Sequence, residues 1–446
     1  MKFSKFKKPV AAKPASAKIE LQVDALTSEG EGIARIKHDI YFVPAALPGE
    51  KVEVVLDGRR KKVWQTRLLK VLEASPDRIE PPCPHYKRCG GCDLQHLAYP
   101  AQVAFKQQRV EREFSRQGIE VLNWAAPLLG EQWHYRRKAR VGVRFRNELN
   151  QNIVGFRERN STHLTQIGTC AVLPQSPLLN WEMWGEAINA LAARAKITQM
   201  EVVDADNALA LVVRSLSHLS ASDTEQLIAV ITRTSHEKPV QLWLKESDQA
   251  AKLVWAETDE PLYHSVQGLK LVIQVDDFIQ VNAKVNQAMI EQALAWLNPQ
   301  KDEVIWDLFA GHGNFSMPLA TQGARVISVE GSDAMAASLT AQAQSLGLPI
   351  EAYCADLTQA ASLQTLPSAK AVLLDPPRAG AIEIMPSLMA AKIERILYVS
   401  CDAATLARDL HELVNAGYAV IQAGIMDMFP QTHHVETMVL LERKAK

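Results

Sequence analysis

The sequence contains no run of eighteen consecutive apolar residues, which a membrane-spanning helix would require. The basic stretch Met1–Pro9 has no apolar segment behind it, so we expect a flexible basic tail over 1–14 and no signal peptide. Only six of the 446 residues are cysteine, and in the cytoplasm, the location that we expect, these should be thiols and not disulfides. The length exceeds what one hydrophobic core can fill, which predicts roughly two or three domains.

The net charge of −1 conceals an asymmetry between the two parts of the chain. Residues 1–160 hold 30 Lys and Arg against 18 Asp and Glu, a balance of +12, and the remainder carries −13. A basic front part predicts binding of a polyanion, and nucleic acid is the polyanion that we favour. The alternative is a solvated basic surface without a ligand.

The stretch from Ile19 to Asp77 reads as five short strands separated by Gly and Pro turns. This pattern predicts a small OB-like β-barrel over 15–75, a fold that often binds nucleic acid strands. The basic turn Arg59–Lys62, followed by Trp64, offers phosphate contacts beside an aromatic ring. The stretch resembles a TRAM domain, an RNA-binding barrel.

Four cysteines form a candidate metal site. Cys83, Cys89 and Cys92 lie close together in the sequence, and Cys170 follows 77 intervening residues later. Four thiolates suit either tetrahedral zinc or an iron–sulfur cluster, and the spacing does not decide between these metals.

The central domain is expected over 76–270. It begins with a predicted helix over 97–119, a candidate to pack on the catalytic domain. The segment from Trp133 to Arg146 includes Tyr135 and a predicted strand with alternating basic residues, which could hold an RNA backbone. A solvated strand face is the alternative.

Regular alternation of strands and helices over 271–446 predicts a Rossmann-like sheet of seven strands. The turn Ala310–Asn314 follows the first strand and lacks the lysine of a triphosphate-binding loop. Glu330 ends the second strand, about 20 residues after the turn, where a carboxylate can bind ribose hydroxyls. Asp356 follows the third strand, in which Cys354 is expected to be a core residue. Asp375 ends the fourth strand before a Pro-Pro pair.

Cys401 lies between a predicted buried strand and a helix, at the edge where open α/β sheets bind ligands. The free amides and dipole of a helix start favour a thiolate, which is nucleophilic. A buried structural cysteine is the alternative. Addition of a thiolate to carbon 6 of a pyrimidine activates carbon 5, and a base such as Glu436 can then remove the carbon-5 proton.

These motifs resemble those of the RNA 5-methyluridine methyltransferases over nearly the whole chain. The matching segments are 278–282, 307–314, 375–378, 400–402 and 433–437. The TRAM-like barrel and the four cysteines are similar to those of the branch that acts on 23S ribosomal RNA. Ala310 and His312 depart from the usual residues of the glycine turn, and Asp356 stands where Asn also occurs.

The resemblance implies a multidomain α/β protein that binds S-adenosylmethionine and a [4Fe–4S] cluster. Cys401 would be the nucleophile and Glu436 the proton acceptor. The implied cofactor-binding residues are Gln280, Phe309, Asn314, Glu330, Asp356 and Asp375. The implied cluster ligands are Cys83, Cys89, Cys92 and Cys170.

The resulting hypothesis is methylation of carbon 5 of one uridine in 23S ribosomal RNA, with the base flipped out of a loop. We expect a monomer without an obligatory protein partner and without membrane association. One alternative is the same chemistry on tRNA or on another ribosomal uridine. Another is a non-catalytic RNA-binding factor in ribosome assembly, and a third replaces the cluster by a zinc knuckle.

Overall fold

The computed structural model describes residues 17–444, so the predicted basic tail over 1–14 lies outside the described residues. The described chain divides into two compact units. The first comprises residues 17–82, 92–102 and 431–433, and the second comprises 83–91, 103–430 and 434–444. Within 17–444, no helix is both long and apolar enough to cross a membrane.

The first unit contains a six-stranded sheet in the order β1-β5-β6-β4-β3-β2. Its strands are β1 (Lys18–Gln22), β2 (Ala25–Leu26), β3 (Gly32–Ile36), β4 (Asp39–Val43), β5 (Lys51–Arg60) and β6 (Val63–Glu73). Alternate residues such as Val52 and Val54 point into one core with Leu21 and Val43. The prediction of five strands was wrong by one, because the two-residue strand β2 is too short to give a periodic pattern.

Helix α1 (Tyr99–Arg116) belongs to the second unit from residue 103 onward, and strand β7 (Val121–Trp124) follows it. A seven-stranded sheet then has the order β10-β9-β8-β11-β12-β13-β14. Its elements are β8 (Lys138–Arg146), β9 (Gln151–Arg157), β10 (Leu164–Gln166), α2 (Trp181–Ala190), β11 (Ile197–Asp204), β12 (Leu209–Ser215), α3 (Ala221–Arg233), β13 (Val240–Glu246) and β14 (Lys252–Ala256). Trp181 and Trp184 of α2 are fully buried in the core of this sheet.

The rest of the second unit forms the hairpin β15 (Tyr263–Val266) and β16 (Leu269–Val272), and an eight-stranded sheet in the order β19-β18-β17-β20-β21-β23-β22-β7. The further strands are β17 (Val304–Leu308), β18 (Arg325–Glu330), β19 (Ile350–Cys354), β20 (Ala371–Leu374), β21 (Arg395–Ser400), β22 (Tyr418–Met426) and β23 (Glu436–Arg443). The helices are α4 (Ala283–Leu297), α5 (Ser316–Thr321), α6 (Asp333–Leu346), α7 (Met385–Ala390) and α8 (Ala403–Asn415).

Residues 271–446 contribute the seven predicted strands, β17 to β23, and β7, from outside this range, adds an eighth strand at the edge. Val121 pairs in parallel with Val420 of β22, although some 300 residues separate them in the sequence. Val110 and Phe114 of α1 pack into the same hydrophobic core as Tyr418. Sequence periodicity cannot reveal such a long-range pairing, because a strand of four residues shows no alternation.

The direction of the strands determines where the candidate site lies. Strands β17 to β21 are parallel, and their carboxyl ends therefore meet at one edge of the sheet. Strand β23 runs antiparallel to β21, so its first residue, Glu436, lies at that same edge. The sheet thus brings segments that are remote in the sequence to one place.

Candidate active site

A cavity of about 720 Å³ opens at the carboxyl edge of the eight-stranded sheet. It is lined by segments that follow β17, β18, β19, β20 and β21 and by the start of β23. All eight residues predicted to act in catalysis or cofactor binding line it: Gln280, Phe309, Asn314, Glu330, Asp356, Asp375, Cys401 and Glu436. The cavity therefore joins the candidate nucleophile, base and cofactor contacts.

Strand register places Cys401 next to Glu436. Ser400, the last residue of β21, pairs with Thr437 of β23. Cys401 is the next residue after Ser400, and Glu436 precedes Thr437, so the two side chains are neighbours across the strand ends. A thiol and a carboxyl group are thereby held at the same wall of the cavity.

The carboxyl groups of this wall favour their neutral forms. Burial, and then the charge of Asp375, raises the pKa of Glu436 to about 8. Asp375 borders the cavity but is surrounded by protein, and this burial raises its pKa to about 7. Arg378, which also lines the cavity, opposes the shift of Glu436 by its positive charge.

The expectation that the helix start favours a Cys401 thiolate was wrong. Burial, and then the charge of Glu436, raises the pKa of the Cys401 thiol to about 11. The amides of the α8 start are not free, because Asp402 Oδ1 accepts hydrogen bonds from the amides of Ala404 (3.0 Å) and Thr405 (2.9 Å). The helix start therefore stabilises its own capping carboxylate.

The glycine turn and Glu330 form one hydrogen-bonded unit. Gly311 and Gly313 have φ angles of +58° and +98°, a region that glycine adopts without strain. The Gly311 amide donates to Glu330 Oε2 (2.9 Å), and the Ser332 amide donates to Glu330 Oε1 (3.0 Å). Each carboxylate oxygen has a second lone pair, so Glu330 can still accept from two hydroxyl groups.

Asn314 and Asp307 support the same turn. The side-chain amides of Asn314 and Asn286 donate to each other's carbonyl oxygens, both at 2.9 Å, which ties the turn to α4. Asp307 Oδ2 accepts a hydrogen bond from the Ser316 hydroxyl, and Ser316 Oγ lies 2.8 Å from Ser328 Oγ. Burial raises the pKa of Asp307 to about 7.

His312 in the glycine turn contacts a second buried histidine. Its Nε2 lies 3.4 Å from Nε2 of His264, and the two rings meet edge to face. Burial, and then the neighbouring His312, lowers the pKa of His264 to about 3, and burial also lowers that of His312. Both rings are therefore neutral at physiological pH, and one can donate to the other.

Three remaining cofactor candidates differ in exposure. Asp356 is exposed, and its carboxylate accepts from the Thr358 amide (2.9 Å) and hydroxyl (2.7 Å). Gln280 is half-buried at the cavity wall. Phe309 has a φ of +64°, a strained conformation for a non-glycine residue, held where strand β17 turns into the cavity.

Helix α8 holds the loop that carries Arg378. The Thr405 hydroxyl donates to the Arg378 carbonyl (3.1 Å), and the Arg408 guanidinium donates to the Ala379 carbonyl (2.8 Å). Asp409 Oδ2 accepts from the Ala381 amide (2.7 Å). Gly380 fills a position with a φ of +80°, where a Cβ atom would lie 2.5 Å from Asp409 Oδ2.

Two residues of the predicted basic RNA-binding strip face inward instead. The Lys138 amine donates to the carbonyls of Val275 (2.8 Å) and Asp277, and burial lowers its pKa. The Tyr135 side chain is buried, and its hydroxyl donates to the Pro430 carbonyl (3.0 Å). Arg140 is exposed but forms an ion pair with Glu201 (3.1 Å). The prediction was wrong for Tyr135 and Lys138, because periodicity shows alternation but not which face is covered.

The structure agrees with some of the predictions about the cysteines and differs from others. In the part of the chain that the structure describes, none of the six cysteines forms a disulfide. Burial comes first among the causes that raise the pKa of Cys170 to about 11, and the charges of Cys89 and Cys83 contribute, so these three thiols are neighbours. Within residues 17–444, however, no three His, Cys, Asp or Glu side chains are arranged to hold a metal ion. Cys354, expected in the core, is exposed, because β19 is an edge strand.

Phe429 and His434 are among the cavity residues that sequence reasoning did not assign to the site. Both belong to the connection between β22 and β23, and their rings meet edge to face with centroids 5.8 Å apart. His434 lies in a segment already noted for its resemblance to the methyltransferases, which is the signal that could have pointed to it. Phe429 carries no such signal.

Comparison with known proteins agrees with this architecture. Residues 17–62 match the TRAM domain, and residues 182–346 and 359–444 match the tRNA (uracil-5-)-methyltransferase family. The chain is 41% identical to the 23S rRNA (uracil(1939)-C(5))-methyltransferase RlmD of Shewanella amazonensis, over 98% of each chain. It is also 41% identical to the RlmD protein of Pseudomonas putida, over 96% of this chain and 94% of that protein.

The chain belongs to the family of 23S rRNA (uracil-C5)-methyltransferases. This membership confirms the predicted resemblance, and the match over residues 17–62 confirms the predicted TRAM domain of this chain. A solved tRNA (uracil-54, C5)-methyltransferase of Pyrococcus abyssi, in complex with S-adenosyl-L-homocysteine, shares the fold. The match has a TM-score of 0.72 and 20% identity, and it covers 95% of this chain and all of the other.

Proposed function

We propose that the protein methylates carbon 5 of a uridine in 23S ribosomal RNA, at the position equivalent to uracil 1939 of its relatives. The observation that carries this proposal is the pairing of Ser400 with Thr437, which sets Cys401 beside Glu436 in the cavity of the glycine turn. Membership of the family supplies the substrate class. The first unit and its TRAM domain would contribute to RNA binding, as the notable basic charge of residues 1–160 suggests.

The residues of the cavity fit S-adenosylmethionine. The glycine turn leaves open space at Gly311, where an added Cβ would meet nothing within 4 Å, and Glu330 has acceptor capacity for ribose hydroxyls. Gln280, Phe309, Asn314, Asp356 and Asp375 would complete the contacts. When bound, S-adenosylmethionine supplies an electrophilic methyl group.

The chain's own residues account for the remaining chemistry. The Cys401 sulfur, as thiolate, adds to carbon 6 of the flipped uracil and places negative charge on carbon 5 and the adjacent carbonyl. Carbon 5 thereby becomes a nucleophile. After methylation, the Glu436 carboxylate removes the proton from carbon 5, and the electron pair expels the Cys401 thiolate from carbon 6. The Arg378 guanidinium favours both ionised groups.

A fluorinated substrate tests the covalent step. The protein is incubated with S-adenosylmethionine and a 23S rRNA fragment that carries 5-fluorouridine at the target. Because fluorine cannot leave as a proton does, we expect a stable adduct on the Cys401 peptide by mass spectrometry, and no adduct with Cys401→Ala. Methylation of unmodified RNA without an adduct would contradict the mechanism.

Matched substrates separate the rival functions. We expect methylation of the 23S rRNA fragment and none of a tRNA transcript. Methylation of the tRNA alone would show that the enzyme carries out the same chemistry on tRNA, which would contradict the proposed substrate. RNA binding without any methylation would favour a non-catalytic factor in ribosome assembly.

We further propose that Cys83, Cys89, Cys92 and Cys170 hold a [4Fe–4S] cluster. The donor set fits, because four sulfur ligands suit such a cluster, none of the four cysteines forms a disulfide, and Cys83 and Cys89 act electrostatically on Cys170. Iron, sulfide and zinc analysis of anaerobically purified protein decides between the cluster and a zinc knuckle.

Two further parts of the proposal concern organisation. We propose domains over 15–75, 76–270 and 271–446, and a monomer in the cytoplasm. Light scattering of the purified protein tests the monomer, and limited proteolysis tests the boundaries near residues 75 and 270.

A further inference from the structure

The segment Asp427–Pro430 contributes an aromatic side chain, Phe429, to the cavity that also contains the candidate base. It follows β22, whose last residue, Met426, pairs with Glu436, the first residue of β23. Phe429 and His434 both belong to the connection between these two strands, and both line the cavity. Their edge-to-face contact, with centroids 5.8 Å apart, makes one continuous aromatic surface.

A buried lysine fixes the backbone of this segment. The Lys106 amine lies 2.5 Å from Asp427 Oδ1, and both side chains are completely buried. The same amine donates to the Phe429 carbonyl at 3.1 Å. Burial of two charges is costly, and an apolar pair of equal volume often gives equal or better stability. The need to hold Phe429 in place gives a functional reason to keep this buried ion pair.

Two other hydrogen bonds hold the same four residues. The Asp427 amide donates to the Leu128 carbonyl (2.9 Å), and the Tyr135 hydroxyl donates to the Pro430 carbonyl (3.0 Å). Three neighbouring segments of the second unit thus fix the backbone on both sides of Phe429. An aromatic ring on a backbone held in this way is pre-organised to receive a flat partner.

A flipped base needs such a partner. Extrusion from RNA removes the stacking of the base, and enzymes compensate by stacking it on aromatic side chains. The cavity contains three other phenylalanines: Phe309 and Phe315 flank the glycine turn, on the side proposed for the cofactor, and Phe278 is 66% exposed. Phe429 and His434 instead belong to the connection that leads into Glu436, the candidate base, near which carbon 5 of the uracil must lie.

We propose that Phe429 and His434 form the wall on which the flipped uracil stacks, an inference that rests on the proposed function. Lys106 is then the positioning residue that holds Phe429 in place. Phe429 would thereby contribute to recognition of the pyrimidine, and Lys106 would act on the reaction only through Phe429.

Substitutions of Phe429 test the wall. Loss of the ring in Phe429→Leu should lower kcat/KM for a 23S rRNA fragment by about 10- to 100-fold, the range expected for one stacking contact. Affinity for S-adenosylmethionine, measured by calorimetry, should stay within about twofold, and Phe429→Tyr should restore most of the activity. Unchanged kcat/KM in Phe429→Leu would contradict the proposal that the uracil stacks on this wall.

A double-variant cycle tests Lys106. Lys106→Met keeps a long, unbranched side chain but removes the amine. It should lower kcat/KM by roughly tenfold. If Lys106 acts through Phe429, Lys106→Met combined with Phe429→Leu should lose no more activity than Phe429→Leu alone. If the activity losses of the two single variants multiply in the double variant, Lys106 does not act through Phe429. Tyr135→Phe, which removes only the hydroxyl that holds Pro430, replaces Lys106→Met if that variant does not fold.

Arg395→Met serves as the matched control. Arg395 also forms a mostly buried ion pair, with Glu303, but at the amino end of β21, far along the strand from Cys401. Its loss should reduce stability without altering kcat/KM. An inactive wild-type protein in the same assay would refute the proposed function itself, whereas an active wild type with an equally active Phe429→Leu refutes only the wall.

Discussion

Asp402 caps the helix that begins directly after Cys401, through hydrogen bonds from the amides of Ala404 and Thr405 to its Oδ1 atom. A negative charge therefore occupies the helix start on which a nearby thiolate would otherwise depend. Burial, and then the charge of Glu436, raises the pKa of the Cys401 thiol to about 11, so the thiol form predominates at neutral pH.

The first prediction concerns the reactivity of Cys401. Because its pKa is raised to about 11, its alkylation by iodoacetamide should be slow at pH 7 and should accelerate up to about pH 11. Glu436→Gln removes a negative charge that raises this pKa, so the variant should alkylate faster between pH 8 and pH 10, where Glu436 is ionised. Mass spectrometry of the Cys401 peptide gives the rate.

The exposed Cys354 provides an internal reference in the same samples. Its alkylation rate should be the same in both proteins. An unchanged rate at Cys401 in Glu436→Gln would show that the carboxylate does not act on the thiol.

The second prediction concerns stability and pH. The pKa values of Asp307 and Asp375 are raised to about 7 and that of Glu436 to about 8, against roughly 4 in an unfolded chain. The folded protein therefore binds more protons between these values, and its free energy of unfolding should decrease as pH rises from about 4 to about 8. Below about pH 4 this contribution is fully present.

Urea unfolding of Glu436→Gln at pH 5 and pH 8.5 measures this contribution. The variant should lose less stability between the two pH values than the wild type, by roughly 2–4 kcal/mol. Glu351→Gln, which alters an exposed carboxyl group of β19, should leave the pH dependence unchanged. Equal pH dependence in wild type and Glu436→Gln would contradict the raised pKa.

The third prediction concerns the glycine turn. Gly313 has a φ of +98°, and an added Cβ would lie 3.2 Å from the side chains of Leu339 and Met317. Gly313→Ala should therefore destabilise the protein by about 1–3 kcal/mol and weaken the binding of S-adenosylmethionine. Calorimetry measures the binding. Gly58→Ala, at a position with open space and no positive φ, should affect neither property.

The sequence was sufficient to predict much of the carboxyl-terminal sheet and the cavity residues. Glu330, Asp375 and Cys401 each follow or end a strong apolar run, and the ends of parallel strands meet at one edge. Glu436 was also found, because a family motif marks it. These residues share a local signal that survives in a single sequence.

The remaining features depend on contacts that leave no local pattern. Val121 joins the sheet through a partner some 300 residues away, and the Lys106 amine is buried against Asp427. The pKa of Cys401 differs from the expectation for a related reason. A helix start in the sequence suggests free amides, but in the structure the Asp402 side chain accepts hydrogen bonds from two of them. Tertiary burial decides each of these cases, and sequence periodicity does not report it.

The last prediction concerns the attachment of the Arg378 loop to α8. Asp409 is fully buried, and Oδ2 accepts from the Tyr398 hydroxyl and the Ala381 amide, both at 2.7 Å, while Oδ1 accepts from Arg408 Nε at 2.8 Å. Asp409→Asn keeps the shape but replaces one acceptor oxygen by a donor and removes the charge that pairs with Arg408. We expect a loss of about 2–4 kcal/mol in the free energy of unfolding.

The same substitution should lower kcat, because the loop that places the Arg378 guanidinium beside Cys401 and Glu436 loses its attachment to α8. Glu412→Gln, on the exposed face of α8, is the control and should change neither quantity. Methylation rates at a temperature where both variants are folded separate the two effects. A stability loss with wild-type kcat would mean that Asp409 supports the fold alone, and that Arg378 keeps its place through the bonds from Thr405 and Arg408.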